Sequence, residues 1–566
     1  MGYEERIQQP MIRQFGGLNT RDSEIGLPGN DSPNMINVDL HPAGSMKMRK
    51  GVAELVTPAG EDNVEAVMLL EKPEDDENWV YIIADGTLYR TAEPGTWSWG
   101  EPQEGSVSPS MPTTQKVWGS AHARYLDGST ERTSALYIFR SDGAPIVAMG
   151  LSTLASDLDT LVQLAQGTGT PTVPAVGSGT LGYPSTWGAG HWPRFGRLLS
   201  QGRGSRMHVW GIDDDPNKVY YTALDIPWHF GADDIDMALP VLNIEVDGGS
   251  YYVNRGDGDV VVSVIDMYAY TVIFKKRRTY IFTGDPGDAG NNYWNPVGEI
   301  PVGCVNDRAW VKVGNNIMFW SEDGPRSLSA VQEYGDLQQA NLGFKINDQV
   351  TAIAPGQFER IRAFHDVENM RVIWYVPEAG SASNNAGYVY YYNTQVWSKW
   401  SGDATEIVDV LTVPTNDSYR ERTVAGTVDN GMVLVQSSTL DVDKDITAWY
   451  ITNWINSGEI SDASRELWLD IMFGDEGPMV DIYYQTDLNV EWLPISRIIR
   501  SIGGQGSAWG TFAWGSAAWG ETARSMRRHE IDALFHLIRF KFEATSPYGF
   551  EVMGYRPEMR QKGARA

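Results

Sequence analysis

Runs of apolar, β-branched and aromatic residues alternate with short polar turns along most of this chain. At Val80–Thr91, VYIIADGTLYRT, two such runs flank an Asp-Gly pair, the sequence preferred in two-residue hairpin turns. The same form recurs in four further segments, Ala135–Met149, Val311–Leu328, Arg371–Trp400 and Arg422–Val435. Glycine turns and aromatic residues with little helical periodicity predict a mostly β chain, whose hairpins stack as blades of a β-propeller or form a large sandwich.

The pattern also divides the chain into parts, because 566 residues are too many for one ordinary core. We predict an N-terminal arm over residues 1–55 that completes the β domain, a propeller-like domain over 56–440 and a sandwich-like domain over 441–566. Residues 165–193 are rich in Gly, Ser, Thr and Pro without periodicity, which predicts a long inserted loop. Just before it, Leu151–Ala165 has Leu and Val at helical spacing and predicts a helix.

A repeat of Trp-Gly in the last part, SAWGTFAWGSAAWG at Ser507–Gly520, places tryptophans five residues apart. A period of five aligns with neither one face of a helix nor one face of a strand, so it predicts a looped segment that presents three flat rings. We expect Trp509, Trp514 and Trp519 to pack on a neighbouring domain or subunit, since large rigid rings are favoured at interfaces. Two alternatives stay open: a platform that binds sugars, and packing within a loop-rich sandwich.

Charge limits the function further, because the formal net charge is −28. A protein that grips nucleic acid through its phosphates is usually basic, so this balance argues against an ordinary DNA-binding enzyme. The strongest basic run is Lys275, Lys276, Arg277 and Arg278, predicted to lie mid-strand, where it contacts DNA or an acidic partner or is simply solvated. The sequence shows no signal peptide and no apolar run of 18 residues, so we expect cytoplasmic synthesis and no membrane span.

Motifs of the common catalytic and metal sites are missing. The eight histidines form no HExxH or HxH pattern, and Cys304 has no second cysteine for a disulfide or a zinc site. The acidic run Asp213–Asp215 lacks the spacing of a calcium loop and is expected to be a solvated turn. Neither a phosphate-binding loop nor a GxSxG elbow is present. The sequence therefore assigns no catalytic, cofactor-binding or metal-binding residue, and the expectation is a chain that is not an enzyme and needs no cofactor.

Several segments, taken in order, resemble one protein family. They begin with FGGLNTRD at Phe15–Asp22 and the stretch Leu27–Gly51, which contains NVD and ends in MKMRKG. They continue with TVIFKKRRTYIFTGDP at Thr271–Pro286, then Ile300–Leu328 and YYNTQVWSKWSG at Tyr391–Gly402, and the Trp-Gly segment with FEVMGYRPEMR at Phe550–Arg560 follows. This ordered set resembles the tail nozzle proteins of short-tailed bacteriophages, which are similar to tail tubular protein B and packaged DNA stabilization proteins. Residues 151–255 match least.

The resemblance implies a structural virion protein built on a propeller. Such subunits form a six-fold ring below the portal and adaptor, hold packaged DNA and conduct it during ejection. The implied partners are five further copies of the chain, the phage adaptor protein, tail fibres or spikes, and genomic DNA that passes without sequence-specific binding. The implied location is the phage tail in the virion, and the family carries over no catalytic residue.

Electrostatics agrees with a conduit, since six copies at −28 each carry about −168 and an acidic wall lets DNA slide. Retention then depends on loops that narrow the channel, and residues 165–193 are the candidate gate, with an ordinary surface loop as the alternative. A second function class stays open: a propeller-based tail protein that binds or cleaves glycans on the host surface. Such an enzyme gathers Asp, Glu, Arg and Tyr at the propeller centre, whereas a conduit lines its axis with acidic residues.

Overall fold

The fold was determined as a computed structural model and is mostly β, as the sequence predicts. The structure describes residues 6–8, 10–40, 44–55, 63–72, 77–91, 99–100, 111–112, 115, 118–126, 132–149, 160–163, 165–166, 182–183, 187, 191–200, 204–222, 224, 230, 248–268, 270–287, 294–328, 341–378, 380–402, 406–414, 421–456, 464–474, 479–499, 526–546 and 549–561. Within these ranges the helical elements are short: α1 (Asn347–Thr351) and two 3-10 turns at Leu342–Ile346 and Pro355–Arg360.

Seven small antiparallel sheets of the described chain form a propeller. The first four are β6 (Val64–Lys72), β7 (Glu77–Ala84), β8 (Thr87–Thr91), β9 (Trp99–Gly100); β10 (Gly119–Leu126), β11 (Arg132–Phe139), β12 (Ile146–Met149), β13 (Thr160–Gln163); β16 (Phe195–Ser200), β17 (Ser205–Trp210), β18 (Lys218–Tyr221), β19 (Gly249–Tyr252); and β20 (Val261–Met267), β21 (Tyr270–Lys275), β22 (Thr279–Thr283), β23 (Asn295–Ile300). The last three are β24 (Trp310–Val313), β25 (Asn316–Ser321), β26 (Gly324–Ser327); β27 (Arg362–Asp366), β28 (Arg371–Val376), β29 (Ala386–Tyr391), β30 (Val396–Ser401); and β31 (Ile407–Pro414), β32 (Glu421–Thr427), β33 (Met432–Ser438) with β5 (Gly51–Glu54).

The first strand of each sheet is innermost, and six of the seven neighbouring pairs of first strands lie against each other along their backbones. β31 contacts β6, which closes the ring, and the fourth and fifth sheets are joined by the ion pair of Asp266 with Lys312. Middle strands are covered on both faces, which is why β28 and β29 are buried at every position and read as continuous apolar runs. The outermost strand of the seventh sheet is β5, which comes from the N-terminal arm.

A second body is a sandwich of two six-stranded sheets. One contains β1 (Arg6–Gln8), β3 (Val38–Leu40), β4 (Met46–Met48), β36 (Ser464–Phe473), β39 (Met526–Phe535) and β41 (Glu551–Gln561); the other contains β2 (Asn34–Ile36), β34 (Thr447–Ile451), β35 (Ile455–Asn456), β37 (Met479–Thr486), β38 (Asn489–Ile499) and β40 (Leu537–Thr545). Along β40 buried residues alternate with partly exposed ones, the period of a sheet with one covered face. Four of the twelve strands come from the N-terminal arm, so the arm contributes to both bodies.

One local expectation is corrected by the structure. The helix predicted at Leu151–Ala165 is wrong over its described part, because Thr160–Gln163 is strand β13, paired with β12; Leu and Val at helical spacing over a short stretch also fit a sheet partner. The inserted loop contains the two-residue parallel pair β14 (Ala165–Gln166) and β15 (Gly182–Tyr183), and most of the rest of residues 165–193 lies outside the described residues.

Candidate functional site

Charged side chains converge where the innermost strands of the propeller begin. Arg308, two residues before β24, donates from Nη2 to the carbonyl oxygen of Trp118 at 2.7 Å. Trp118 directly precedes β10 of the second sheet, whereas β24 belongs to the fifth sheet, and two sheets lie between them. The Arg308 guanidinium therefore spans the propeller axis at this end.

Arg197 of β16 links three consecutive sheets at the same end. Its Nη1 donates to the carbonyl oxygen of Val264 at 2.9 Å and to Oγ of Ser263 at 3.1 Å, and its Nη2 lies 3.3 Å from Oδ1 of Asp307. The guanidinium also lies 4.7 Å from the ring centre of Trp310. One side chain thus ties the third, fourth and fifth sheets together.

The seventh sheet and the first are joined by a similar contact. Asp409 of β31 accepts a hydrogen bond from the backbone N–H of Val67 in the first sheet at 3.2 Å. Arg362, at the start of β27, is buried, and its Nη1 donates to the carbonyl oxygen of Glu359 at 2.8 Å. Burial lowers the pKa of Arg362 to about 10, although the negative charge of Asp409 acts to raise it. The axial cluster (Arg197, Asp307, Arg308, Arg362 and Asp409) is therefore held mainly by backbone groups and by the Arg197–Asp307 ion pair, which is a structural use of charge.

Glu65, at the same end of the propeller, has a raised pKa. It lies at a β-bulge of the innermost strand β6, and its buried Oε2 accepts no hydrogen bond in the described part of the chain. Burial, with a smaller contribution from the charge of Asp85, raises the pKa of Glu65 to about 7. A half-buried carboxyl with such a pKa can hold a proton near neutrality and donate it, as general acids do.

The arm, the propeller and the sandwich meet at a junction with a second buried charge network. Arg49 of the arm binds Asp441 through two hydrogen bonds and also donates to the carbonyl oxygen of Ser401 at 2.8 Å. Asp39 lies 2.9 Å from Arg371 and accepts from Nε1 of Trp400 at 3.0 Å. Burial alone would lower the pKa of Arg371, but the charge of Asp39, with those of Tyr391 and Asp366, raises it well above its usual value.

The basic run predicted from the sequence is placed differently from the expectation. Lys275 ends β21 and is buried, with Nζ 2.7 Å from Oδ2 of Asp257. The expectation that Lys275 contacts a partner is therefore wrong, because its charge is paired inside the chain. Lys276, Arg277 and Arg278 form the turn between β21 and β22 and are exposed. Arg278 pairs with Glu299 at 2.5 Å, and Arg277 lies 3.6 Å from Glu322. The mid-strand placement is wrong, and partner contact by the three exposed residues stays a prediction.

Other sequence-based candidates are settled only where the structure describes them. Trp509, Trp514 and Trp519 lie outside the described residues, so their packing stays a prediction. Asp213 pairs with Arg194 at 2.7 Å, and Asp215 accepts from the hydroxyl of Tyr252 at 2.8 Å. Burial raises the pKa of the Cys304 thiol, which disfavours the thiolate needed for nucleophilic or ligand chemistry. Within the described ranges no group of three or more His, Cys, Asp or Glu is placed to hold a metal ion, and no helix is long and apolar enough to cross a membrane.

One group of side chains was missed by sequence reasoning. On the outer face of the sheet containing β34, β37, β38 and β40, Arg539 lies 4.4 Å from the ring centre of Trp454 and 5.4 Å from that of Trp492. Lys541 lies 5.6 Å from the ring of Trp449 and 5.7 Å from that of Tyr483. The alternation of Arg and Lys with Phe in LIRFKFEAT was the available signal. The rings come from three other strands and, for Trp454, from the segment between β34 and β35, and the sequence does not give their register.

Comparisons with known proteins add little to this geometry. No protein-family model matches the chain, and no curated protein matches it. Among solved structures, a chain of the BBS1N complex with ARL6DN is 9% identical with a TM-score of 0.28, covering 69% of this chain and 97% of its own length. An exo-beta-1,3-galactanase from Phanerochaete chrysosporium is 8% identical, with a TM-score of 0.26 and coverage of 90% and 100%. A glycoside hydrolase is 11% identical, with a TM-score of 0.26 and coverage of 88% and 97%.

These comparisons correct one expectation. The sequence-based conclusion that the chain is not an enzyme is withdrawn, because two of the three structures are by name a galactanase and a glycoside hydrolase. TM-scores of 0.26 carry no activity over to this chain either. Whether the chain has catalytic activity is therefore a question for assays of the groups on its own propeller axis.

Proposed function

We propose that the chain is a subunit of the tail nozzle of a short-tailed bacteriophage. In this function the subunits form a ring-shaped channel below the portal and adaptor, which retains the packaged genome and conducts it during ejection. The supporting observation is that four of the segments behind the family resemblance, Phe15–Asp22, Leu27–Gly51, Tyr391–Gly402 and Phe550–Arg560, meet at one place in the fold, the junction of arm, propeller and sandwich.

The contacts at that junction are specific. Phe15 packs against the rings of Tyr450 and Tyr555, at 5.3 and 6.0 Å between ring centres. Leu18 N–H donates to the carbonyl oxygen of Trp397 at 2.7 Å, and Asn37 N–H donates to that of Lys399 at 2.8 Å. The FGG, NVD and WSKW segments and the C-terminal strand β41 are therefore parts of one interlocked unit, which gives a physical reason for their occurrence together.

The axial cluster bears on the route of the DNA. Because Arg308 reaches across the propeller axis to Trp118, duplex DNA has no path through a single chain at that end. In the proposed nozzle the channel lies between copies, and its wall is formed by the outer surface of a chain with a net charge of −28. Such a wall makes few contacts that release counterions, so DNA moves along it without binding.

The experiment uses a phage that encodes this chain, with a stop codon introduced early in the gene for the chain. Particles assembled without the chain are expected to lose packaged DNA, measured as nuclease-sensitive DNA and as empty heads in electron micrographs. Adding the purified chain to freshly filled particles should restore retention, and heat-denatured chain is the control. Particles that lack the chain and yet retain and eject DNA normally would contradict the proposal.

A second candidate is a propeller that acts on glycans, and Glu65 is the specific observation that favours it. Its pKa of about 7 is suited to a general acid, which glycan hydrolysis requires together with a second carboxylate. The test is release of reducing ends from a panel of polysaccharides by the wild-type chain and by Glu65→Gln. Loss of the activity in Glu65→Gln, with Glu491→Gln on the sandwich as the matched control, would support this candidate.

A further inference from the structure

The positive charge of Arg308 on the propeller axis has no carboxylate partner in the part of the chain that the structure describes. Its Nη2 and Nε donate to the carbonyl oxygen of Trp118, and Nη2 also lies 3.5 Å from Oγ of Ser120. No described group accepts a hydrogen bond from Nη1. By contrast, Arg49 and Arg206 in the interior of the chain each form an ion pair with an aspartate. Arg308 therefore keeps N–H groups and a charge that an anion can use.

Two further arginines lie near Arg308. The backbone N–H of Ala363 donates to the carbonyl oxygen of Arg308 at 2.8 Å, so the beginning of β27 lies beside it. Burial is the main cause of the lowered pKa of Arg362, and the charge of Asp409 acts to raise it. The like charges of Arg308 and Arg360 lower this pKa further, and like charges have that effect only at short range. Three guanidinium groups are therefore close to one another at this end of the propeller.

The aspartates of the axial cluster are already engaged. Asp307 has Oδ1 3.3 Å from Nη2 of Arg197. Asp409 accepts hydrogen bonds from the backbone N–H groups of Val67 and Val410, at 3.2 and 3.1 Å. Arg197 and the three arginines above thus share two aspartates, which leaves an excess of two positive charges within this group. The rest of the chain is strongly acidic, with a net charge of −28, so this excess is a local feature that attracts anions.

The backbone that carries these arginines is held in place by two asparagines. Asn306 accepts from the backbone N–H of Arg308 at 2.7 Å and donates from Nδ2 to the carbonyl oxygen of Ile361 at 3.0 Å. Asn384 donates from Nδ2 to the carbonyl oxygen of Arg360 at 2.9 Å. Positively charged groups that are positioned before binding lose little conformational freedom when an anion arrives.

We propose that this end of the propeller axis binds the carboxylate or phosphate group of a small ligand, with Arg308 as the central contact. A guanidinium group presents paired N–H donors in a planar fork that fits both oxyanions. The innermost strands of a propeller surround a central channel, and an ion pair is stronger in such an enclosed position than on an open surface. The site requires neither a ring of copies nor DNA, so it is independent of the nozzle function.

Isothermal titration calorimetry of the full chain tests the site with three probes: inorganic phosphate, glucuronate and uncharged glucose. We expect one saturable site per chain for at least one of the two anions, with a dissociation constant in the millimolar range or tighter. Binding should weaken as sodium chloride is added. Binding of phosphate alone identifies a phosphate ligand, and binding of glucuronate alone identifies a carboxylate. A chain that binds neither anion, or that binds glucose as well as glucuronate, overturns the proposal.

Variants with matched charge changes locate the site. Arg308→Gln removes the guanidinium group on the axis, and Arg527→Gln, at an exposed position of β39 in the sandwich, is the control. We expect the dissociation constant for the bound anion to rise ~tenfold or more in Arg308→Gln and to stay unchanged in Arg527→Gln. Arg360→Gln leaves the contact with Trp118 intact, so it decides the question if circular dichroism shows that Arg308→Gln does not fold. A folded axial variant that binds the anion as the wild type does overturns the proposal.

Discussion

Arg49 and Asp441 form a buried two-point ion pair, with Nη1–Oδ1 at 2.9 Å and Nη2–Oδ2 at 2.6 Å, although 392 residues separate them in the chain. Arg49 also donates from Nε to the side-chain oxygen of Asn37 at 2.8 Å. The pair therefore fastens the arm to the segment that leads from the propeller into the sandwich.

Removing one partner should be costly, because the other charge stays buried. We expect Arg49→Met to lower the free energy of unfolding by about 3–5 kcal/mol, measured from the denaturant midpoint of tryptophan fluorescence. The double variant Arg49→Met, Asp441→Leu should recover part of this loss, since no uncompensated charge remains. If Arg49→Met instead lowers the free energy of unfolding by less than about 1 kcal/mol, the cost is that of an exposed ion pair, and water reaches the site.

A glycine at the junction is required by space. A Cβ atom on Gly17 would overlap the backbone N and O of Trp397, whereas one on Gly29 would meet nothing within 4 Å. Gly17→Ala should destabilise the chain by about 1–3 kcal/mol, the usual cost of overpacking. Gly29→Ala is the control and should stay within about 0.5 kcal/mol of the wild type. Equal denaturant midpoints for the two variants would contradict the close approach of Gly17 to the backbone of Trp397 in β30.

His208 should make the fold sensitive to acid. It is fully buried in the third sheet, with ring centres of Tyr221 and Tyr251 at 6.2 and 6.1 Å, and burial lowers its pKa from 6.5 to about 3. Between these values the unfolded chain binds the proton and the folded chain does not, so stability falls as pH drops below 6.5. The expected loss at pH 5 is about 2 kcal/mol. His208→Leu should remove this pH dependence, so its denaturant midpoint should change less between pH 7 and pH 5 than that of the wild type.

Glu65 should act in the opposite direction. Its pKa is raised from 4.5 to about 7, so the folded chain holds a proton that the unfolded chain has lost. The stability from this proton is present below pH 4.5 and is lost as pH rises through 7. Glu65→Gln should therefore be more stable than the wild type at pH 8 and equal to it at pH 4. A constant difference across pH would show that Glu65 titrates normally.

The three Trp-Gly tryptophans give a prediction about assembly. We expect the combined change of Trp509, Trp514 and Trp519 to Ala to lower ring formation while the far-UV circular dichroism of the monomer stays unchanged, because the rings serve an interface. Ring images and mass near six times 62.8 kDa are the readout. Normal rings with reduced binding on a glycan array would favour the sugar platform, and loss of the monomer fold would favour packing within the sandwich.

The hairpins were predictable because turn chemistry and β-rich runs are local. The Asp-Gly turn at Asp85 and Gly86 lies between β7 and β8, as the sequence predicts. The axial cluster was not predictable, since Arg308 and Trp118 are brought together only by the closure of the ring. The burial of Lys275 was not predictable for a similar reason, because its partner Asp257 lies in a separate loop. The sequence of a basic run does not show whether its first residue is exposed to solvent or paired with a buried carboxylate.

The pairing of β5 with β33 has a consequence for synthesis. Glu54 leaves the ribosome early, but its partner Val433 emerges only after nearly all of the propeller has been made. At translation rates of about 5–20 residues per second, the arm waits roughly 20 to 80 seconds for its place. During that interval β5 has no partner strand, and its open edge can pair with another nascent chain. Yield of the folded chain should therefore depend on temperature and on chaperones that shield strand edges until the last sheet is completed.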